Sequence, residues 1–156
     1  MADITNYNPA YNTNYRLEFV DSPHLNFFIQ NVSLPGIDAI GVETPYRGNQ
    51  GFFQADRIDY DPLNVSFLID EEFENYLFLF SWMKRYVEKE SPKMYMRDAA
   101  LHILTGNKTS NLIVNYYGMF PQTIGAIDFD SSTTDTSPIM CNATFRYQYY
   151  TIERIK

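Results

Sequence analysis

The side chains best suited to acid–base or metal chemistry are scattered along the chain. The two histidines, His24 and His102, lie far apart, and no Cys, Asp or Glu accompanies either one at the spacing of a ligand set. His102 falls between Leu101 and Ile103 in a strand-like run, where a structural histidine is the simpler interpretation. The sequence therefore predicts neither a metal centre nor a catalytic histidine.

Two acidic clusters also have structural explanations. The first, residues 70–74, stands at the start of a predicted helix, where negative side chains interact favourably with the helix dipole. The second, DFDSSTTD at 128–135, lacks the Gly and the closing Glu of a calcium loop and is interpreted as a polar turn. No nucleophile elbow and no Gly-rich phosphate loop occurs. We therefore expect no enzyme activity and no cofactor.

Composition and net charge narrow the classes of protein to which this chain could belong. The chain has 156 residues, one cysteine and a formal net charge of −7, with 13 Tyr and 12 Phe. This charge disfavours tight binding to nucleic acid, which needs clustered Lys and Arg. No apolar run approaches the ~18 residues of a membrane span, and the start has no signal-peptide pattern. We expect one domain of residues 14–156, of intracellular origin, after an extended arm of residues 1–13.

The stretch 61–89 joins one clear strand to one clear helix. Apolar residues alternate from Leu63 to Ile69, which indicates a strand with one buried face. Residues about 70–90 then change to helical period, with Asp70 as the expected N-cap and Ser91-Pro92 as the stop. The apolar stripe expected to pack on the domain's own barrel is Phe73, Tyr76, Leu77, Phe80, Met83, Lys84 and Val87.

The rest of the chain is predicted to be β structure. Alternation and turn residues place strands at 15–20, 25–32, 37–44, 99–105, 112–117, 124–129 and 139–152. Gly41 is a candidate bulge within the third of these. The last strand is longer than the usual ~5 to 6 residues, so we expect it to pair or pack beyond its own domain. The fold class is therefore mainly β, an antiparallel barrel or sandwich with one flanking helix.

Three segments carry candidate contact residues. The loop or hairpin 45–54 places two adjacent Phe residues where a monomer would leave them in water, which usually marks a contact site; folding back into the core is the alternative. The arm carries two Tyr that could anchor it on a neighbour, although a frayed terminus explains it equally well. The predicted interface residues are Tyr7, Tyr11, Arg47, Phe52, Phe53, Arg146, Gln148 and Tyr150.

Four motifs occur in a recognisable order: Leu34-Pro35-Gly36, the strand-to-helix run with Asn75, Tyr76 and Trp82, the turn with Phe120-Pro121 and Ile124-Gly125, and the closing strand TFRYQYYTI. Together they resemble the tail tube proteins of contractile-tailed bacteriophages, which share their fold with the type VI secretion tube. The resemblance covers about residues 14–152. The same pattern is similar to the barrel domain of baseplate proteins that initiate the tube, although this chain is too short for their extra domains.

The resemblance implies a structural protein of the virion. In that family six copies form a ring whose inner strands join into one β-barrel, and rings stack into the inner tail tube. The implied partners are further copies, the tail sheath outside, baseplate proteins, and the tape measure protein and double-stranded DNA in the lumen, without tight binding. Assembly would take place in the host cytoplasm, with no membrane involved.

Two other readings stay open at the sequence level. A specialised ring at the baseplate end or the head end of the tube would have the same fold as the repeated tube subunit. A carbohydrate-binding β-sandwich would need aromatic rings exposed together beside Asp or Asn, and the Tyr content permits this.

Overall fold

The computed structural model describes residues 10–20, 28–88, 95–132 and 134–155. Over these residues the chain forms eleven strands and one helix. The strands are β1 Tyr15–Phe19, β2 Ile29–Val32, β3 Ile37–Ala39, β4 Val42–Tyr46, β5 Asn49–Phe53, β6 Ile58–Tyr60, β7 Leu63–Leu68, β8 Arg97–Leu104, β9 Ser110–Ile124, β10 Met140–Arg146 and β11 Tyr149–Arg154, and the helix, α1, is Glu74–Glu88.

Seven strands form one antiparallel sheet in the order β1-β8-β9-β10-β7-β2, with β11 also paired to β9. The 15-residue strand β9 holds the sheet together. Its first part pairs with β8 on one side and β11 on the other, and its last part pairs with β10. Because β10 and β11 run in sequence along the same side of β9, the end of the chain follows β9 over most of its length.

This sheet folds over so that its two halves share one core. The Phe19 ring on β1 lies 5.3 Å from the Phe145 ring on β10, although two strands separate β1 from β10 in the sheet. At the two ends of the strand order, the Tyr15 hydroxyl on β1 donates a hydrogen bond to the Gln30 carbonyl on β2, at 2.6 Å. The predicted antiparallel barrel or sandwich with a flanking helix is confirmed.

Helix α1 covers the last part of β9. The Tyr86 hydroxyl donates to the carbonyl of Pro121 at 2.8 Å, and the Tyr86 ring lies 5.7 Å from the Phe120 ring. As predicted, the Asp70 carboxylate caps the helix by accepting from the backbone N–H groups of Glu74 and Asn75. The predicted start at 70 was too early, and the predicted stop at Ser91-Pro92 lies outside the described residues.

The predicted core stripe of α1 was wrong for its outer members, although Tyr76 does pack against the core. Leu77, Phe80 and Val87 are exposed by 56%, 50% and 70%. The helix instead buries Asn75, Leu79 and Trp82. Asn75 can occupy the core because its side-chain N–H donates to the Leu68 carbonyl at 2.7 Å and its side-chain oxygen accepts from the Tyr76 N–H. This polar residue concealed the second apolar stripe in the sequence.

Three predicted strands also need correction. The strand at 37–44 divides at Ile40-Gly41 into β3 and β4. No strand occupies 125–129, because β9 already ends at Ile124. The long closing strand divides at Tyr147-Gln148, where the Gln148 N–H donates to the Tyr117 carbonyl beside Gly118, whose φ is +63°. The predicted polar turn at 128–135 contains hydrogen bonds from the Ser132 N–H and hydroxyl to Asp130, which lower the pKa of that carboxyl.

Candidate assembly surface

A two-stranded ribbon runs from Ile37 to Tyr60 and projects from the sheet. Strand β3 pairs with β6 at its base, and β4 pairs with β5 at its tip. The strands of the ribbon pack chiefly on each other. The predicted projecting hairpin is therefore present, and the ribbon is longer than the predicted segment 45–54.

The turn at the ribbon tip is Arg47-Gly48. Both residues have positive φ, 31° and 83°, as the two central residues of a type I′ hairpin turn require. Gly48 adopts this conformation without a Cβ penalty, whereas Arg47 is strained. The turn places the predicted contact residue Arg47 in solvent at the far end of the ribbon.

The ribbon tip exposes its two Phe residues on opposite faces. Phe52 and Phe53 are exposed by 73% and 63%, so they lie outside the chain's own core. Phe53 is directly opposite Val42, and Phe52 is directly opposite Glu43. Opposed residues share a face and successive residues alternate, so one face carries Val42 with Phe53 and the other carries Glu43 with Phe52.

The ribbon base continues the apolar character on one face only. Ile37, Ala39 and Ile58 are exposed there, while Asp38 is directly opposite Asp59 on the other face. Opposed like charges repel, so this pair destabilises the base of the ribbon. Ile37, Val42 and Ile58 were not among the contact residues predicted from the sequence. The sequence nevertheless carries a signal for these exposed apolar residues, because they flank the hairpin on both sides and have no position in the core.

A cluster of tyrosines anchors the ribbon base on the sheet. The Tyr60 ring lies 5.3 Å from the Tyr150 ring and 5.9 Å from the Tyr147 ring, and the Tyr147 hydroxyl donates to the Asp61 carbonyl at 2.7 Å. Tyr116 lies fully buried beneath, 5.0 Å from Tyr147. Burial, with the neighbouring tyrosines second, raises the pKa of both Tyr116 and Tyr147 above its ordinary value.

Two predicted contact residues belong to this base. Arg146 donates from Nε to the Gln122 side chain at 3.0 Å and from a terminal nitrogen to the Tyr60 carbonyl at 3.3 Å. Tyr150 is partly buried, with its ring among Tyr60, Tyr116 and Tyr147. Neither residue lies with the pair at the ribbon tip. The structure thus separates the predicted residues into a tip group and a base group.

The remaining predicted contact residues lie elsewhere. Tyr11 is exposed, and Gln148 is exposed beside Gly118. Tyr7, with most of the predicted arm, lies outside the described residues, as does His24. His102 lies within hydrogen-bond distance of the Ser110 hydroxyl, 2.9 Å, and faces Glu18 at 3.5 Å. A role of all eight predicted residues in a subunit interface stays a prediction.

A second exposed apolar surface lies on α1. Its outward stripe, which we define as Leu77, Phe80, Lys84 and Val87, faces away from the buried stripe of Leu79 and Trp82. The Lys84 ammonium pairs with Glu88 at 3.6 Å, and both side chains are largely in solvent. The sequence predicts these four residues as one stripe of the helix, but as a stripe that faces the core.

The described residues offer association surfaces rather than reactive groups. Among them, no three His, Cys, Asp or Glu side chains group closely enough to hold a metal ion. Cys141 is buried, and burial raises the pKa of its thiol, which disfavours the reactive thiolate. No helix in the described part is long and apolar enough to cross a membrane.

The fold is that of the tubes of contractile injection systems. It is similar to a chain of the anti-feeding prophage tube-terminating cap, with a TM-score of 0.72 and 14% identity, covering 99% of this chain and 100% of that one. It is also similar to a chain of the extended sheath–tube complex of an extracellular contractile injection system, with a TM-score of 0.68 and 14% identity over 97% of this chain and 95% of that one.

Sequence comparison agrees with the fold. The model of the family described as phage tail tube protein matches residues 3–153, so the chain belongs to that family. It is 31% identical to the tail tube terminator protein of Enterobacteria phage T4 over 165 residues, covering 95% of this chain and 91% of that protein. The protein is therefore a structural component of a phage tail and not an enzyme.

Proposed function

We propose that this protein is a tail tube terminator, a specialised ring that ends the inner tube of a contractile phage tail at the head end. The observation that carries the proposal is the 31% identity to the phage T4 tail tube terminator, which covers nearly the whole of both chains. The sequence alone favours the repeated tube subunit and leaves a specialised ring at one end of the tube as the alternative. The identity to a tube terminator favours that alternative.

The physical features of the chain support an assembled ring. A sheet protein that stays monomeric leaves strand edges and apolar surface in water, both of which favour association. Here the ribbon tip and the outward stripe of α1 are exposed together in one chain. A closed ring would cover such surfaces by repeated contact between neighbours, and we propose six copies per ring, as the resemblance implies.

The proposed partners follow from position in the tail. A terminator would contact the last tube ring on one side, and the sheath would surround it. The structural relatives in sheath–tube assemblies fit this arrangement. The tape measure protein and DNA would occupy the central channel without tight binding, because a net charge of −7 repels phosphate.

End labelling of assembled tubes tests the proposal. The protein would carry a fluorescent or gold label on the thiol of Lys108→Cys, at an exposed loop position, in a Cys141→Ala background, and would be added to growing tubes of the tube protein from the same phage. We expect label at one end of each tube and an arrest of growth there. A label distributed along the whole tube would instead assign the chain to the repeated tube.

A matched control distinguishes capping of the growing tube end from nonspecific binding to the tube. The same labelled protein would be added to tubes whose growth has already been ended with unlabelled protein. Occupied ends should take up no label. Label that binds these tubes as well as it binds growing ones would contradict the terminator proposal.

A further inference from the structure

Ring closure by identical copies requires two different surfaces on each copy. The contact is heterologous, so one surface of each subunit meets the other surface of the next. Among the exposed apolar residues that the structure describes, two groups lie on separate elements, namely the ribbon tip and the outward stripe of α1. Helix α1 packs on β9, while β4 and β5 pack chiefly on each other, so the two surfaces are not used against each other within one copy.

The chemistry of these two surfaces is complementary. On the ribbon, Phe52 and Glu43 are directly opposed, which places their Cβ atoms about 5 Å apart on one face. On the helix, Phe80 and Lys84 are one turn apart, which places their Cβ atoms about 5 to 6 Å apart. Each surface thus presents an aromatic ring beside a charge, with opposite signs and similar spacing.

Both charges are free to change partners. Glu43 accepts a hydrogen bond from the Gln50 side chain on its own ribbon, and Lys84 pairs with Glu88 on its own helix. Both contacts are solvent-exposed, and exposed pairs contribute little stability. Docking could replace them with a contact shielded by the two rings. The ribbon as a whole has the same sign as Glu43, because residues 37–60 carry four acidic and two basic residues.

We propose that the ribbon of one copy docks on the outward stripe of α1 of a neighbouring copy, with Phe52 against Phe80 and Glu43 against Lys84. The inference rests on the proposed ring and adds a contact between neighbouring copies, beside the inner strands that would join them. The occupant of the helix stripe is thus a second copy of this chain.

A charge exchange tests the pairing. We expect Glu43→Lys and Lys84→Glu each to raise the apparent dissociation constant of assembly about tenfold or more, and the double variant to recover most of that loss. Sedimentation velocity over a concentration series measures the shift. Arg85→Glu is the matched control, because it makes the same charge change on the same helix but about 100° away from Lys84.

Disulfide trapping tests the contact independently. In a Cys141→Ala background, a Phe52→Cys chain would be mixed with a longer, tagged Phe80→Cys chain and exposed to a mild oxidant. We expect a mixed dimer of intermediate mass on a non-reducing gel. Ile152→Cys, at another exposed apolar position, replaces Phe80→Cys in the control and should give far less mixed dimer.

The outcomes separate this inference from the proposed function. The docking would be overturned if the parent protein forms rings but the double charge variant shows no recovery and no mixed dimer forms. That outcome would leave the terminator role intact. Lys84→Glu that assembles normally but no longer cosediments with the sheath would assign the stripe to the sheath and also overturn it. A chain that forms no ring, alone or on tube ends, would overturn both proposals.

Discussion

The core of the sheet and the projecting ribbon hold aromatic residues in opposite surroundings. Phe145 is buried, with its ring 5.3 Å from Phe19 and 6.1 Å from Trp82. Phe52 and Phe53 have most of their surface in solvent. A buried aromatic ring stabilises the fold through apolar area and packing, whereas an exposed pair is available to stabilise an assembly. We therefore expect the aromatic residues of this chain to contribute to two separate equilibria, folding and the proposed assembly.

Helix α1 shows the same division within one element. Its inner side contributes Trp82, whose indole N–H donates to the Tyr95 carbonyl at 2.6 Å and whose ring lies 5.2 Å from the Arg97 guanidinium. Its outer side carries Phe80, half exposed. Substitutions on the two sides should therefore separate folding from assembly.

Trp82→Ala should give the largest loss of stability. It removes a fully packed aromatic side chain and leaves the Tyr95 carbonyl without its donor, so we expect a loss of roughly 3 to 5 kcal/mol in the free energy of unfolding. Urea unfolding of the monomer measures it. Phe80→Ala, on the outer side of the same helix, is the control and should lose less than about 1 kcal/mol. Similar losses in both variants would contradict the assignment of the two sides.

Asn75→Ala should have the next largest effect. The variant removes the donor to the Leu68 carbonyl in a buried position, which costs about 1 to 3 kcal/mol. Asn142→Ala is the matched control. The Asn142 side chain is likewise hydrogen-bonded, since its oxygen accepts from the Ser66 hydroxyl, but it lies in an exposed position. We expect the control to lose under about 0.5 kcal/mol in the same unfolding assay. A smaller loss for Asn75→Ala than for the control would show that the amide is not part of the core.

The sequence was sufficient for the fold class because alternation is strong in β1, β7 and β8, and turn residues mark their ends. It was insufficient where a tertiary contact decides the outcome. The burial of Asn75 depends on the Leu68 carbonyl, and the division of the closing strand depends on Gly118 of a neighbouring strand. Period alone could not choose between the two stripes of α1, since both have helical spacing.

The candidate assembly surface could be predicted only in part, for a similar reason. Adjacent Phe residues in a Gly-containing hairpin are a local signal, so Phe52 and Phe53 could be identified. The length of the ribbon depends on β3 and β6, whose pairing joins residues about 20 apart and has no local signature. Tyr150 was predicted to be a contact residue, but its ring lies in the tyrosine cluster. That position depends on strands far apart in the sequence, so no local pattern indicates it.

Tyr116→Phe should change stability by a smaller amount and in the opposite direction. The Tyr116 hydroxyl is buried and makes no hydrogen bond within the described residues, so its removal should stabilise the fold by about 1 kcal/mol. Tyr147→Phe is the control: it removes the same atom but breaks the bond to the Asp61 carbonyl, and it should destabilise by about 1 kcal/mol. Equal effects of the two substitutions would contradict the burial argument.

The same tyrosines predict an alkaline limit to stability. Burial raises the folded-state pKa of Tyr116 and Tyr147, so the unfolded chain loses these protons first, near its ordinary pKa of about 10. Stability should therefore be constant up to about pH 9 and fall as the pH rises above about 10. Unfolding measured between pH 7 and 11 checks this, and Tyr116→Phe should fall less steeply than the parent.

Replacing both Phe52 and Phe53 by Ser should have the smallest effect on folding and a large effect on assembly. Both side chains are outside the core, so the free energy of unfolding of the monomer should change by less than about 0.5 kcal/mol. The Phe52 ring is the one that the proposed docking would bury on the neighbouring helix, at about 25 cal/mol per Å² of apolar area, while Phe53 lies on the opposite face of the ribbon. Sedimentation should consequently shift from rings to single subunits. Tyr11→Ser, another exposed aromatic position, controls for the general loss of surface apolarity. Normal assembly of the double variant would exclude the ribbon tip as an assembly element, and unfolding of the monomer would return the pair to the core.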